Sequence, residues 1–222
     1  LLLFNCERAP FDNAKFRKAL SMAVDLDELV EQVYLGMAAK GTAGHVKEGL
    51  AEYVAGLDYV HDIDGANALL DEIGYTERDG DGMRLALDGS EMDLEFLVYS
   101  GNTLRIRMAE ILAMQFEKIG VRATVTSLDA DTVDAMVWPD FDVASGRNFD
   151  LSMWGWSAPT VQKSGVIITM CHSDPAVGAD NLGGYVNPDF DALADGYLAS
   201  ADLDFRKEAN EKLQKLAAED TP

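Results

Sequence analysis

The sequence predicts an α/β fold in which helices cover a mixed β-sheet. The order of patterns in the middle of the chain decides this: an alternating strand over residues 92–98, an amphipathic helix over 104–119 and a half-buried strand over 121–125. A strand–helix–strand order of this kind favours a parallel pair joined by a right-handed crossover. Helical periodicity near both ends of the chain then supplies the covering helices.

The first elements are a short apolar strand over residues 1–5 and two amphipathic helices. Asp25 is placed to cap the second helix, and Glu28 lies three positions further on, as in a capping box. Gly36 is a natural stop for that helix. The two helical faces are formed by Phe16, Ala19, Leu20, Ala23 and Val24, and by Leu26, Leu29, Val30, Val33 and Tyr34.

The next stretch predicts a loop, a helix and a hairpin. Residues 37–62 have no period and contain several glycines, which is typical of a long surface loop. A helix over 64–73 ends at Gly74. The alternation over 83–87 predicts a strand, which a turn at Asp88-Gly89 joins to the strand that follows.

The second half predicts a short helix capped by Asp129, a polar loop over 139–148 and a strand over 149–154. Two helices follow, and the first begins at Asn187-Pro188, a cap followed by proline. Their predicted buried residues are Phe190, Leu193, Tyr197 and Leu198, and then Phe205, Ala209, Leu213, Leu216 and Ala217.

The charge balance restricts the partners. The 222 residues contain 39 Asp and Glu against 18 Lys and Arg, for a formal net charge of −21. Nucleic acid and anionic membranes are poor partners for such a field, so we expect no nucleic-acid partner. Two interpretations of the acidity remain: a heavily solvated surface, or attraction of cationic solutes.

Cysteine, histidine and phosphate-binding patterns predict no cofactor and no metal site. Cys6 and Cys171 belong to no metal-type pair, and a disulfide between them stays open at this stage. His45, His61 and His172 lack a second ligand at metal-binding spacing. No nucleophile elbow, Walker loop or dinucleotide fingerprint is present. We therefore expect no catalytic residue.

The most informative local feature is Trp154-Gly155-Trp156-Ser157 at a predicted strand end. Ligands of open α/β sheets bind beyond the carboxyl ends of strands, and the other such end is 99–102. Either both tryptophan rings pack in the core, or the rings point to opposite faces and one lines a cleft. A tryptophan in a cleft offers a large apolar platform for an apolar or cationic group.

Several segments resemble, in order, the signature of the family 5 solute-binding proteins, which bind dipeptides, oligopeptides or nickel. Those segments are Pro10-Phe11-Asp12 with residues 15–25, then 66–75, 107–121, 149–156 and 181–188. The resemblance spans essentially the whole chain.

The resemblance implies that residues 1–222 form one lobe of a two-lobed, periplasmic-binding-protein-like (class II) fold. We expect this lobe to be cut from a longer protein and to lack the larger lobe, since a strand begins at the first residue. Such proteins bind a peptide-like or other small solute between the lobes, close by a hinge and deliver it to the membrane subunits of an ABC importer. The implied protein is a monomer in the periplasm or on the extracellular face of the membrane, soluble or lipid-anchored.

The resemblance also implies which residues contact solute. They are Trp154, Trp156 and Ser157, with Asn181 and Tyr185 on a facing loop. For Tyr185 the alternative is a phenol packed beside the last helices.

One position departs from the family pattern. Peptide-binding members carry an aspartate that pairs with the peptide's α-ammonium group, where this sequence has Pro159. Proline carries no charge, so the usual amine anchor is missing. The solute is then a modified peptide, a metal chelate, a sugar oligomer or another small molecule.

Two other functions remain as alternatives. The same fold serves as the ligand-sensing domain of regulators. A neighbouring DNA-binding segment would indicate that function. A hydrolase would need a carboxylate pair at catalytic separation in the tryptophan-lined cleft.

Overall fold

The computed structural model describes residues 1–163 and 165–222, and the side chains of Ala158 and Pro159 lie outside the description. The strands are β1 (Leu2–Phe4), β2 (Asp93–Tyr99), β3 (Arg122–Leu128) and β4 (Leu151–Met153). The helices are α1 (Ala14–Ala23), α2 (Leu26–Tyr34), α3 (Ile63–Glu72), α4 (Thr103–Glu117), α5 (Ala130–Val137), α6 (Ala158–Val161), α7 (Val166–Cys171), α8 (Pro188–Ala199) and α9 (Leu203–Asp220).

The strands form one mixed sheet in the order β1-β4-β2-β3. Strands β2 and β3 run parallel, from Asp93 opposite Arg122 to Tyr99 opposite Leu128. Strand β4 is also parallel to β2, and β1 closes the other edge antiparallel to β4. The predicted mixed sheet and the parallel pair across α4 are therefore confirmed.

Helices cover both faces of the sheet, which explains why three neighbouring residues of β2, Phe96, Leu97 and Val98, are all buried. Phe96 and Val98 pack with α1, α3 and α4 in the largest hydrophobic cluster. Leu97, between them, packs with Val133 and Val137 of α5 on the opposite face. Neighbouring residues of a strand point to opposite faces, so a strand covered on both sides buries all of them. A third cluster joins α7, α8 and α9.

The three helix caps that the sequence predicts are present. The side chains of Asp25, Asp129 and Asn187 each accept backbone N–H bonds from the first turn that follows. The capping box at α2 is wrong in one half, because Glu28 does not bond back to the Asp25 N–H. Gln115 of α4 accepts that N–H at 3.1 Å and donates to Glu28 at 2.8 Å.

The predicted strand over 83–87 is wrong, although its turn is present. Leu85 forms only an isolated bridge with Glu91, and Leu87 is 66% exposed. The Arg84 N–H donates to the Gly120 carbonyl at 2.6 Å, so this segment bonds to the end of α4 instead of to a strand. Gly89 has φ +83°, and the turn closes with Ala86 N–H bonded to Ser90 O at 2.8 Å.

Two burial predictions in the last helices are also wrong. Leu198 and Phe205 are exposed, while Phe190, Ala194 and Tyr197 form the buried stripe of α8. Leu198 follows Tyr197 directly and is therefore rotated about 100° away from that stripe. Helices α6 and α7 lie where no element was predicted. Residues 37–62, all of them described, form no helix or strand, as expected for a loop.

No helix among the described residues combines the length and the apolar character that a membrane span requires.

Candidate functional site

A cavity of about 620 Å³ lies at the edge of the sheet where the parallel strands β2 and β4 end. Its wall includes Asn102 at the start of α4 and Trp154-Gly155 directly after β4. Strand β1, helix α2, further residues of α4 and the loop over 39–47 also line it. Both strand ends singled out in the sequence therefore meet at one cavity, on the edge where such sheets bind ligands. Its volume is within the range of small-molecule sites.

Trp154 and Trp156 lie on the same side of the chain, and the prediction that they point to opposite faces is wrong. Both rings contact Trp138 edge to face, with centroid distances of 6.4 Å and 5.5 Å. Strand β4 ends at Met153, and residues two apart in an extended chain share a side. The two interpretations combine, because Trp154 packs on Trp138 and also lines the cavity.

Trp138 is the member of this aromatic cluster that sequence reasoning missed. It lies directly after α5 and also contacts Phe141 edge to face at 5.1 Å. Its Nε1–H is buried and has no acceptor among the described residues. Its signal in the sequence was the third tryptophan at a helix end, but only the fold brings it beside β4.

Trp156, Asn181 and Tyr185 come together around a second, smaller cavity of about 40 Å³. Ser157 lines neither cavity; it precedes α6, and its hydroxyl lies 3.0 Å from that of Thr160. The predicted site residues are thus divided: Trp154 lines the larger cavity, and three others line the smaller one.

Asn181 and Tyr185 are buried and bonded within the chain. The Asn181 side chain donates to the Tyr185 carbonyl at 2.8 Å and accepts from the Tyr185 N–H at 3.0 Å, which closes the loop between them. The Tyr185 hydroxyl donates to Asp220 at 2.6 Å, and its ring packs edge to face on Phe190. Burial, and then the hydrogen bond to Asp220, raise the pKa of Tyr185. The alternative interpretation of Tyr185, a phenol packed beside the last helices, is confirmed.

Gly155 brings the start of α4 close to the end of β4. A Cβ atom at this position would lie 2.1 Å from a guanidinium nitrogen of Arg105, so a side chain here would displace the arginine. Arg105 lines the cavity beside Trp154. Sequence reasoning missed Arg105, since a helical arginine in isolation is typical of a solvated surface.

Two of the titratable residues that the long loop contributes to the cavity wall, His45 and Tyr59, have shifted pKa values. Burial lowers the pKa of His45 to about 4, so its imidazole is neutral at pH 7. Burial raises the pKa of Tyr59 to about 12. The predicted surface loop is therefore also a wall of the site.

The cysteines settle the question that the sequence left open, because both are free thiols. Burial raises the pKa of Cys6 to about 11 and also raises that of Cys171, so both stay protonated. The described residues contain no group of three or more His, Cys, Asp or Glu side chains placed to hold a metal ion.

Comparison with known proteins identifies the family. The profile of the bacterial extracellular solute-binding proteins, family 5 (middle), matches residues 1–177. The chain belongs to this family. The predicted resemblance is confirmed, and the family consists of solute-binding proteins of the periplasm or the extracellular space.

Relatives of this chain are a little over a quarter identical to it across the aligned residues. Haem-binding protein A of Haemophilus influenzae is 28% identical over 220 residues, which cover 97% of this chain and 36% of that protein. The periplasmic alpha-galactoside-binding protein of Rhizobium meliloti is 29% identical over 213 residues, covering 92% and 31%. The chain thus spans about a third of the length of these relatives.

Solved structures confirm the periplasmic-binding-protein-like fold. The oligopeptide-binding protein AppA of Bacillus subtilis, in complex with a nonapeptide, matches with a TM-score of 0.82 at 24% identity. The match covers 100% of this chain and 42% of that structure. NikZ of Campylobacter jejuni, in complex with Ni(L-His), matches with a TM-score of 0.77 at 24% identity over 99% of this chain and 42% of that structure. None of these relatives is a regulator, so the sensor alternative gains no support.

Proposed function

We propose that the protein containing this chain binds a small solute and delivers it to the membrane subunits of an ABC importer. The observation that carries the proposal is the 620 Å³ cavity at the carboxyl ends of β2 and β4 in a family 5 chain. Relatives of this chain are named as binders of haem, alpha-galactosides and oligopeptides. The protein acts as a monomer in the periplasm or on the extracellular face of the membrane, and it performs no catalytic step.

Residues 1–222 form one lobe of a two-lobed binding protein in this proposal. The coverage of about a third of the relatives' length supports it, because the remainder of such a protein supplies a second wall. Closure of the two walls about a hinge excludes water from the solute, and the importer recognises the closed form. The proposal accounts for a cavity whose wall is largely apolar on this side.

Trp154 is the residue for which direct solute contact is best supported. Its half-buried ring lines the cavity while Trp138 fixes its orientation from behind. Trp156 and Ser157 continue the same edge. Asn181 and Tyr185 are buried and bonded to the chain, which supports a positioning role for the loop beneath Trp156. Their direct contact with solute stays a prediction.

The solute class remains broad at this level. Pro159, whose side chain lies outside the described residues, stands where peptide-binding members carry an amine-binding aspartate. Recognition of a free α-ammonium group through that position is therefore not part of the proposal. A modified peptide, a metal chelate and a sugar oligomer stay as candidates.

Calorimetric titration with a panel of solutes tests the proposal. The panel holds haem, an alpha-galactoside trisaccharide, a nickel–histidine complex and a mixed peptide library. We expect at least one member to bind with micromolar affinity or better, and Trp154→Ala to weaken it at least tenfold by removing an apolar platform.

Phe205→Ala is the matched control for the titration, since it removes an exposed ring on α9 that does not line the cavity. Its affinity should equal that of the unmodified protein. Equal affinity of Trp154→Ala and the unmodified protein would contradict the assignment of this cavity as the site.

A further inference from the structure

The charge of the main cavity is the reverse of the charge of the chain. Acidic residues outnumber basic ones about two to one in the sequence. Yet none of the described residues that line the 620 Å³ cavity is Asp or Glu, whereas Lys40, Lys47 and Arg105 all line it. A wall with the average composition of the chain would carry a negative charge. The positive charge of this wall is therefore a specific feature of the fold.

Arg105 is the cation placed to act on a solute. Its guanidinium lies in the groove left by Gly155, against the end of β4. Among the described residues no carboxylate lies within 4 Å of it and no hydrogen-bond acceptor contacts its side chain, although the chain contains nearly forty carboxylates. With no acceptor among the described residues, the five N–H donors of this half-buried guanidinium are available to a solute.

The surroundings of Arg105 add to the positive potential. It lies in the first turn of α4, a helix of 15 residues whose N-cap is Asn102, and a helix N-terminus carries a partial positive charge. Lys47 likewise has no carboxylate within 4 Å among the described residues. Lys40 contributes less, because Asp27 pairs with it at 2.9 Å.

We infer that this cavity selects a solute that carries an anionic group, a carboxylate or a similar planar oxyanion, and that Arg105 binds this group. The inference rests on the proposed function of the cavity and names the class of its solute. Arginine binds a carboxylate through two parallel N–H···O bonds, which also orient it. The apolar wall beside it, with Trp154, Met108 and Leu112, then accommodates the solute's apolar body.

This assignment decides between the two interpretations of the composition. The net charge of −21 was consistent with a heavily solvated surface or with attraction of cationic solutes. A cavity lined by cations repels such solutes at short range, and the acidic outer surface affects them only over a Debye length of about 8 Å at physiological salt. The acidity therefore belongs to the solvated surface, and the site carries the opposite sign.

The sign of the electrostatic potential in the cavity can be measured without knowing the solute. Leu104 lines the cavity beside Arg105 and is 48% exposed, and Leu198 on the acidic helix α8 is 55% exposed. Leu104→Cys and Leu198→Cys variants of the protein containing this chain are treated with an anionic sulfonatoethyl and a cationic trimethylammonioethyl methanethiosulfonate. In each reaction the thiolate attacks the reagent sulfur, forms a disulfide and releases methanesulfinate, and peptide mass spectrometry reports the rate at each position.

The rates are normalised to those of 2-mercaptoethanol with the same reagents. We expect the anionic reagent to react faster than the cationic one at position 104 and slower at position 198. Arg105→Gln should reduce the anionic-to-cationic ratio at position 104 at least threefold, and Arg105→Lys, which keeps the charge, should preserve it. A ratio at 104 equal to that at 198, or unchanged in Arg105→Gln, overturns the inference.

A binding measurement tests whether the positive potential of the cavity selects an anionic solute. An N-acetylated apolar tripeptide with a free carboxylate should bind at least tenfold more tightly than its carboxamide, and Arg105→Gln should abolish the difference. Equal affinity of the acid and the amide overturns the inference and leaves the solute-binding proposal intact. Failure of both peptides to bind contradicts peptides as the solute in the proposed function, and the reaction rates at position 104 then decide the anion assignment.

Discussion

Arg84 shows how much one buried charge contributes to this fold. Its guanidinium is almost fully buried and donates to the Ile119 carbonyl at 2.8 Å, to Asn67 at 2.8 Å and to Asp71 at 2.5 Å. It also donates to the Tyr75 carbonyl. One side chain thus joins α3, the turn that follows it and the end of α4.

We predict that Arg84→Met lowers the free energy of unfolding by about 3 kcal/mol, because several buried acceptors lose their donor at once. Arg107→Met is the matched control. Its exposed ion pair with Glu110, at 3.7 Å, should contribute less than about 0.5 kcal/mol. Urea unfolding of both variants measures the difference, and similar midpoints for the two would contradict the role of Arg84.

His45 gives the fold a dependence on pH. Burial lowers the pKa of His45 to about 4, whereas in the unfolded chain it stays near its usual 6.5. The unfolded state therefore binds a proton first as the pH falls. The stability linked to the neutral imidazole is fully present above pH 6.5 and is lost as the pH falls towards 4.

The expected loss over that window is at most about 3 kcal/mol, since one pKa unit corresponds to about 1.4 kcal/mol. His45→Asn should flatten the stability profile between pH 6.5 and 4, and asparagine tolerates the φ of +60° at this position. His61→Gln, on an exposed imidazole, is the control. A profile that keeps its slope in His45→Asn would refute the assignment.

At the scale of single residues, sequence reasoning singled out Trp154, which lines the cavity, but missed Arg105 in the same wall and Trp138 behind Trp154. Trp154 follows a predicted strand, and the rule that ligands bind beyond strand ends applied to it directly. Trp138 contacts Trp154 from the end of α5, and Arg105 lines the cavity from the first turn of α4. Their local sequence does not predict these positions, because the positions depend on how two helices pack on the sheet.

Among the elements, α9 depends on a neighbour for its C-terminal cap. It has no basic residue in its last turn. Arg17 of α1 donates instead to the carbonyls of Asp220 at 2.7 Å and Thr221 at 2.9 Å, and Lys18 donates to that of Ala218 at 2.9 Å. Two cations from α1 thus satisfy the free carbonyls and the negative end of the α9 dipole.

We predict that Arg17→Met speeds amide hydrogen exchange in the last turns of α9, because about 2 kcal/mol of charge-assisted bonding is lost. Lys212→Met removes a cation of the same helix that pairs on the surface with Glu208, and it serves as the control. Exchange in the last turns should be unchanged there. Equal effects of the two variants would show that the cap from α1 is not needed.

Elements with strong local signals were predicted well. The pattern of neighbouring residues was enough to predict the caps at Asp25, Asp129 and Asn187 and the parallel strands around α4. The strand over 83–87 failed because Arg84 bonds to the distant end of α4, which outweighs the alternating pattern. Helices α6 and α7 are short, and their period is too brief to detect.

For the molecule as a whole, family membership and the fold agree with the position of the cavity. Helices cover both faces of the sheet, and the cavity lies at the ends of β2 and β4, where ligands of such sheets bind. The charge of the cavity wall depends on which few side chains the fold brings together there. Composition, which predicted only an acidic surface, therefore could not reveal it.

Hydrogen–deuterium exchange with and without a saturating solute from the titration panel tests the central claim most directly. The account predicts slower exchange on binding in three segments that line the cavity, namely residues 39–47, 102–108 and 153–155, with no change in the outer turns of α8. Protection confined to other segments, or none at any solute concentration, would contradict the claim that this cavity is a wall of the solute site.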